Sequence, residues 1–435
     1  MINAEQILLL VSFTIILAYI AGIFYNRTRI PDIVWLLGFG ILMGPILGFF
    51  DESLFGGIFE LMLLVTVIMF SFSTGISINA QELLGNTRRA MGLAVASFLS
   101  ITLVAGGSLR LLAPETFSHV DAFLLGAMVA GMSGVSVSSL VSSISGGFKD
   151  VGDSMTLLQL ESTLGDPIRV VAVLTLIEMV TLTGAGPKTA ARDMLFMLLT
   201  AVAIGAGVGL IWGETLSRLR DRSLNYMMTI AALFPVYVFA EWVSGGGGGP
   251  IAVFLVGFTL MNFGYVTRSL GLERRARIDR RKLRDYHDEL TFLIKALFFV
   301  YLGLVMTPSV ESFMMGLMVS ALIIVVRFVV VTVVGKIHGF GDRELIVTRL
   351  IFIQGAGTLV LSQFPVKYDP TGLFFSDPDV FTNICIPIVL VSLIYNSTVS
   401  PFLAKRQLNS ISREALPKTE DDEPEEEEDA GNRVT

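Results

Sequence analysis

Apolar runs of about 20 residues, each closed by a short polar or Gly/Pro break, recur along nearly the whole chain. A helix needs about 20 apolar residues to cross a bilayer core. Runs near 5–24, 32–49, 55–74, 90–112, 120–142, 154–181, 193–213, 225–243, 250–266, 290–308, 314–335, 345–365 and 380–403 therefore predict about thirteen transmembrane helices. The expected fold is all-α and polytopic. The first run follows MINAEQ with no basic region and no small-residue cleavage site, which predicts a retained span, not a cleaved signal. The membrane domain is expected over residues 1–406, with 407–435 as a cytoplasmic tail.

Composition sharpens this. The chain is 53% hydrophobic and only 16% charged, with a mean hydropathy of +0.71, against roughly 25% charged for a soluble domain. A water-soluble enzyme is excluded on this ground, and no nucleophile, metal or cofactor motif has supporting context. The net charge of −7 belongs to the tail: from Arg413 onward there are 10 Asp/Glu against 3 Lys/Arg. That tail, containing KTEDDEPEEEEDA, is too charged to bury and is expected to be disordered. No basic face with interleaved aromatics suits nucleic acid. The lone Cys385 rules out a disulfide framework.

Basic residues fall mostly on one alternate set of loops: Arg27 and Arg29, Arg88 and Arg89, Lys149, Arg218 to Arg222, the block from Arg268 to Arg284, Lys336 with Arg343, and Lys405 with Arg406. That side is read as cytoplasmic, placing the N-terminus outside and the C-terminus inside. Arg110 and the Lys188/Arg192 loop dissent. The 268–284 block is accounted for by topology alone; the alternative is a regulatory surface for anionic lipid or for the acidic tail.

Ionisable residues inside spans cost about 2.5–3.5 kcal/mol each at the bilayer centre on insertion scales, so they mark function or pairing. Glu161, Asp166 and Arg169 lie in the sixth span, Lys295 in the tenth and Arg327 in the eleventh; Glu60, Glu178 and Glu241 fall near span ends. In LLQLESTLGDPIRVV, Ser162 and Asp166 share a helix face one turn apart, while Glu161 points roughly 140° away from Asp166. Pro167 leaves the carbonyl of Thr163 without its helical donor. A hydroxyl, a carboxylate and a free carbonyl suit a hard monovalent cation, for which a proton can compete at Asp166. The alternative is that Asp166 is structural and pairs with Arg169 at helical neighbour spacing. Glu161 needs another partner, and Arg327 is expected to supply it as a structural ion pair. Lys295 either competes for Glu161 or snorkels toward the cytoplasm.

Two spans carry interruptions. The fifth reads GAMVAGMSGVSVSSLVSSISGG, with Ser133 and Gly134 at its break; the twelfth reads RLIFIQGAGTLVLSQF, with Gln354, Gly355 and Gly357 at its middle. Seven spans separate them, so repeats formed by spans four to six and eleven to thirteen are inverted in topology, the arrangement expected around a midplane site. Small-residue helix packing is the other account of the same Gly and Ser. The five-glycine run Gly245 to Gly249 is expected to be a turn or hinge. His119, His287 and His338 are too scattered for a metal site.

From Ile30 to Lys405 the sequence resembles the monovalent cation/proton antiporter family, in its NhaP/NHE branch. IPDIVWLLGFGILMGP is similar to the family's I-P…G-I-L-x-G-P segment, FSFSTGISI to F-x-x-G, EWVSGGGGGPIAVFLVGFTLMN to E…G-S-G-x-L-A-V…G…N, and FFVYLGLVM to F-V-x-L-G. Most specific is ESTLGDP, similar to E-S-x-x-N-D-P. The resemblance implies an NhaA/NhaP-like fold of inverted repeats with two crossed, interrupted helices, a homodimer in the cell membrane, and a mobile core region. It implies Asp166 as the cation- and proton-binding carboxylate with Ser162 beside it, and Glu161 with Arg327 as the structural pair. Three positions depart from the family pattern: Gly165 replaces Asn, Met132-Ser133-Gly134 stands where T-D-P is usual, and Ala356 takes the place of the Arg in P-R-G. Ser133 can still offer a hydroxyl.

The expected function is exchange of cytoplasmic Na+, K+ or Li+ for external protons, electroneutral if Asp166 is the only unpaired acid at the site. Asp166, Ser162, Thr163 and Ser133 are the expected binding residues, the bound metal is the transported cation itself, and no cofactor is expected. The rivals are a membrane sensor that keeps the scaffold without transporting, and a channel or transporter of another solute.

Overall fold

Among the described residues the apolar runs are helical apart from interruptions in the fifth and twelfth, and helix ends sit mostly at the polar and Gly/Pro breaks. The computed structural model describes residues 4–28, 30–50, 56–134, 137, 140–141, 144, 152–181, 187–218, 225–271, 280–307, 309–369, 372–375 and 377–414. The acidic tail beyond Glu414, Lys149, residues 272–279 of the basic block and the side chain of Glu178 lie outside the described residues.

The order is α1 (Ala4–Thr28), α2 (Asp32–Ile41), α3 (Gly56–Ser77), α4 (Ala80–Leu112), α5 (His119–Met128), α6 (Gly152–Thr181), α7 (Pro187–Arg218), α8 (Asn225–Ser244), α9 (Gly248–Met261), α10 (Phe263–Ser269), α11 (Arg280–Val305), α12 (Val310–His338), α13 (Asp342–Leu350), α14 (Ala356–Leu361), α15 (Phe364–Tyr368) and α16 (Asp379–Glu414). Seven of these helices are long and apolar enough to cross a membrane, or eight if α9 and α10, bent by 89°, count as one span. The remaining predicted runs hold the shorter helices together with α6 and α11. Large apolar side chains such as Leu103, Leu199, Ile211, Val238 and Val325 stay exposed on the outer faces. In a multi-pass membrane protein those faces meet lipid.

Local chemistry sets the boundaries. Ser118 starts α5 with a reciprocal cap: its hydroxyl accepts from the Asp121 amide and its own amide donates to the Asp121 carboxylate. Pro45 cannot donate to the ladder after α2, and the chain widens there into a π-turn over Leu42–Ile46, closed by the Leu47 amide donating to the Leu42 carbonyl at 3.0 Å. The glycine run turns through positive φ at Gly245, Gly246 and Gly247. The last helix continues past the 406/407 boundary expected from sequence. Leu408 is fully buried and Gln407 accepts from Arg349 at 2.5 Å, so the first turns of the tail dock on the bundle.

The helices sort into two groups. In one, α9 packs on α3, α7 and α8, and α11 packs on α2 and α3; in the other, α4 packs on α5, α6 and α12, and α16 on α12 and α13. Contacts between the groups are sparse; they include α3, α7 and α9 against α6, α3 against α14, and Lys367 of α15 against α8. The second group contains both interrupted spans: α5 stops at Met128 and helix resumes at Gly134, and α13 stops at Leu350 and helix resumes at Ala356.

Candidate functional site

The two interruptions cross. The Ser133 amide donates to the Ile353 carbonyl at 2.7 Å, and the Gln354 side chain donates to the Val129 carbonyl at 2.5 Å. A Cβ at Gly355 would lie 2.7 Å from the Ser133 Cβ, so glycine is what lets the strands approach. Further donors anchor the second break: the Gln354 amide donates to Ser392 at 2.7 Å, and Asn396 donates to the Phe352 carbonyl at 2.9 Å. Irregular backbone at membrane depth is tolerated where protein satisfies it, and these bonds do so. Packing of small residues alone would not leave both helices unwound at facing positions.

Beside the crossing runs α6, with Pro167 inside it. Ser162 donates its hydroxyl proton to the Met132 carbonyl at 2.7 Å, which ties α6 to the first unwound segment. Its proton is thus committed to the backbone and only its lone pairs remain for a ligand. Thr163 and Ser133 are half-buried.

Asp166 pairs with Arg169, Nη2 to Oδ1, at 2.5 Å. The structure therefore realises the pairing with Arg169 that sequence left open, and Asp166 is not an unpaired acid. The carboxylate keeps 14% of its side-chain surface while the arginine keeps 3%. Arg169 also donates from Nη1 to Thr358 at 3.2 Å, and Thr358 donates to the Gln354 side chain at 2.5 Å. The chain of bonds thus runs from Asp166 into the second break. The guanidinium fits because of two glycines: a Cβ at Gly131 would lie 2.3 Å from Nη1, and one at Gly357 would lie 2.3 Å from Nη2.

Glu161 meets Arg327 on the opposite face. Both guanidinium Nη atoms donate to the carboxylate, the Nη2–Oε2 contact being 2.8 Å, and the Glu161 and Arg327 side chains keep 4% and 1% of their surface. Ser97 of α4 accepts from Arg327 and donates to Glu161, each at 3.0 Å, and the Thr348 carbonyl accepts from Arg327 at 3.2 Å. Four elements, α4, α6, α12 and α13, are held together at this point.

Lys295 joins neither pair. Its Nζ sits 5.9 Å from the Phe70 ring centroid, and Asp32 and Asp288 are the acids within electrostatic reach of it. Glu241, at the end of α8, accepts from the Gly247 amide at 2.6 Å, ordering the glycine run, and lies 3.6 Å from Lys367. Among the described residues no three His, Cys, Asp or Glu side chains gather as a metal cluster. Sequence reasoning missed Ser97, Gly131 and Thr358. Their hydroxyls and missing side chain look like ordinary small-residue packing in an apolar run, and only the buried arginines they serve could have pointed to them.

Comparison with known proteins follows the same lines. The family described as sodium/hydrogen exchanger, transmembrane, matches residues 13–405. The low-affinity Na+/H+ antiporter NhaS1 of Synechocystis sp. is 26% identical over 312 residues, 69% of this chain and 54% of that one. The K+/H+ antiporter NhaP of Alkalimonas amylolytica is 25% identical over 292 residues, 65% of this chain and 46% of that one. The chain thus spans about half the length of the curated relatives it matches. The structure of the sodium proton antiporter MjNhaP1 from Methanocaldococcus jannaschii superposes with a TM-score of 0.74 at 16% identity, covering 92% of this chain and 98% of that one.

Proposed function

The chain belongs to the sodium/hydrogen exchanger family, and from that premise we propose that it exchanges one monovalent cation, Na+ or K+, for one proton, with Asp166 holding either. The observation that carries this reading is the place of Asp166: a partly exposed carboxylate bonded through Arg169 to the second of two crossed, unwound segments, on a helix that also meets the other helix group. Movement of one group against the other would expose the carboxylate to each side in turn. Ser162, Thr163 and Ser133 offer oxygen atoms nearby. The cation would be substrate, and no cofactor enters.

Arg169 changes the reasoning about charge but not its result. A guanidinium is a fixed charge, and Arg169 sits on the same helix as Asp166, so it adds the same charge to each half of the cycle. One cation against one proton is then electroneutral. The expected setting is the cell membrane, with the N-terminus outside, the C-terminus cytoplasmic, and two copies associated as a homodimer. Proteoliposomes loaded with a pH dye and pulsed with Na+, K+ or Li+ test the reading. Cation-driven proton movement indifferent to an imposed membrane potential is expected; a rate or gradient that follows the potential contradicts the stoichiometry.

A second reading, a membrane sensor that does not transport, draws on the Asp166–Arg169 pair, because a paired carboxylate already has its charge satisfied. Exchange of any of the three cations in the same vesicles dismisses it.

A further inference from the structure

The contact between Arg169 and Asp166 is built to be broken. It is a single Nη2–Oδ1 bond, whereas Arg327 grips Glu161 with both Nη atoms and has two further acceptors. If Arg169 lets go, Nη1 is still held by Thr358. The guanidinium lies in a space walled by the backbone of both interrupted spans, at Gly131 and Gly357, with the Phe70 ring of α3 also against Gly357. Asp166 is on the open side of this arrangement and Arg169 on the sealed side. An arriving cation finds a neutral pair at the carboxylate and no net attraction.

We propose that Arg169 is a tethered stand-in for the transported cation: it occupies Asp166 in the empty site, must be displaced toward Thr358 for cargo to bind, and thereby sets the cation affinity. This rests on the exchange reading given above and adds to it a positioning residue that tunes specificity. If Asp166 is free for only a fraction of the time, the observed cation affinity is weakened by that fraction. Like charge also disfavours leaving the guanidinium in place once a cation arrives.

The test is cation-driven exchange in proteoliposomes at alkaline external pH, where protons compete least, with KM and kcat measured for wild type, Arg169→Gln, Arg169→Lys and Thr358→Val. Arg169→Gln is expected to lower the KM for the cation by about tenfold. Arg169→Lys, which keeps a charge on the tether, is expected to stay within about threefold of wild type. Thr358→Val removes the acceptor that draws the guanidinium away, so it is expected to raise KM. That variant carries the test if Arg169→Gln does not fold, as judged by a monodisperse size-exclusion profile. A purely structural arginine would instead reduce kcat or folded yield in both arginine variants at constant KM. That outcome, or a Thr358→Val protein with unchanged or lower KM, overturns the proposal while wild-type exchange persists. Absence of exchange in wild type itself would bring down the exchange reading, and this inference with it.

Discussion

Two carboxylate–guanidinium pairs stand five residues apart on α6, and they are built in opposite ways. Glu161–Arg327 is two-pronged, sealed on all sides and bridged by Ser97, and it joins helices distant in sequence. Asp166–Arg169 is single, local to one helix turn, and open at the carboxylate. Taking two charges out of water is costly, and the attraction between them offsets that cost only when geometry is good and the remaining donors are met. The first pair has the better geometry, two-pronged and with further acceptors at Ser97 and Thr348, and behaves as a clamp. The second is held by one bond and keeps more of its carboxylate surface, which suits a group that must change partners.

The sharpest way to break this contrast is to remove one member of the clamp. Glu161→Gln or Arg327→Leu strands a buried charge and is expected to cost about 3–5 kcal/mol, read as a large fall in the melting temperature of the detergent-solubilised protein. A melting curve like wild type would mean the pair is not a clamp. Ser97→Ala is a smaller test: it removes one hydroxyl bonded to two charged groups, with an expected loss of about 1.5–3 kcal/mol and exchange otherwise intact. The smallest effect is expected from replacing both clamp residues together. Glu161→Met with Arg327→Met leaves no stranded charge and should lose less stability than either single change, because apolar replacement of a whole buried pair is often near neutral. If the double variant is worse than the sum of the singles, the clamp does something beyond holding helices.

Much of this was legible in the sequence, and the reasons are specific. Spans are readable because the bilayer imposes one length and one polarity on every crossing. The breaks at Ser133-Gly134 and Gln354-Gly355-Ala356-Gly357 stood out because Gly and Ser interrupt otherwise apolar runs. Arg327 could be matched to Glu161 because a charge in ALIIVVRFVVV has few tolerable partners and Asp166 faced the wrong way. The choice for Asp166 was not readable: helical spacing allows Arg169 to reach it but does not require it. What decides the matter is the space left by Gly131 and Gly357, contributed by two other spans. The end of the last helix was missed for a related reason. Gln407 and Leu408 look like the start of a polar tail until Arg349 and the bundle are placed beside them.

The central claim is that Asp166 is the carboxylate at which cation and proton exchange. The direct measurement is cation-driven proton movement in proteoliposomes containing Asp166→Asn beside wild type, at matched incorporation and with both proteins eluting as the same monodisperse species. The account predicts that the Asn protein folds, melts below the wild-type temperature because the buried Arg169 loses its carboxylate, and exchanges nothing at any pH. Persistent exchange by Asp166→Asn would contradict it.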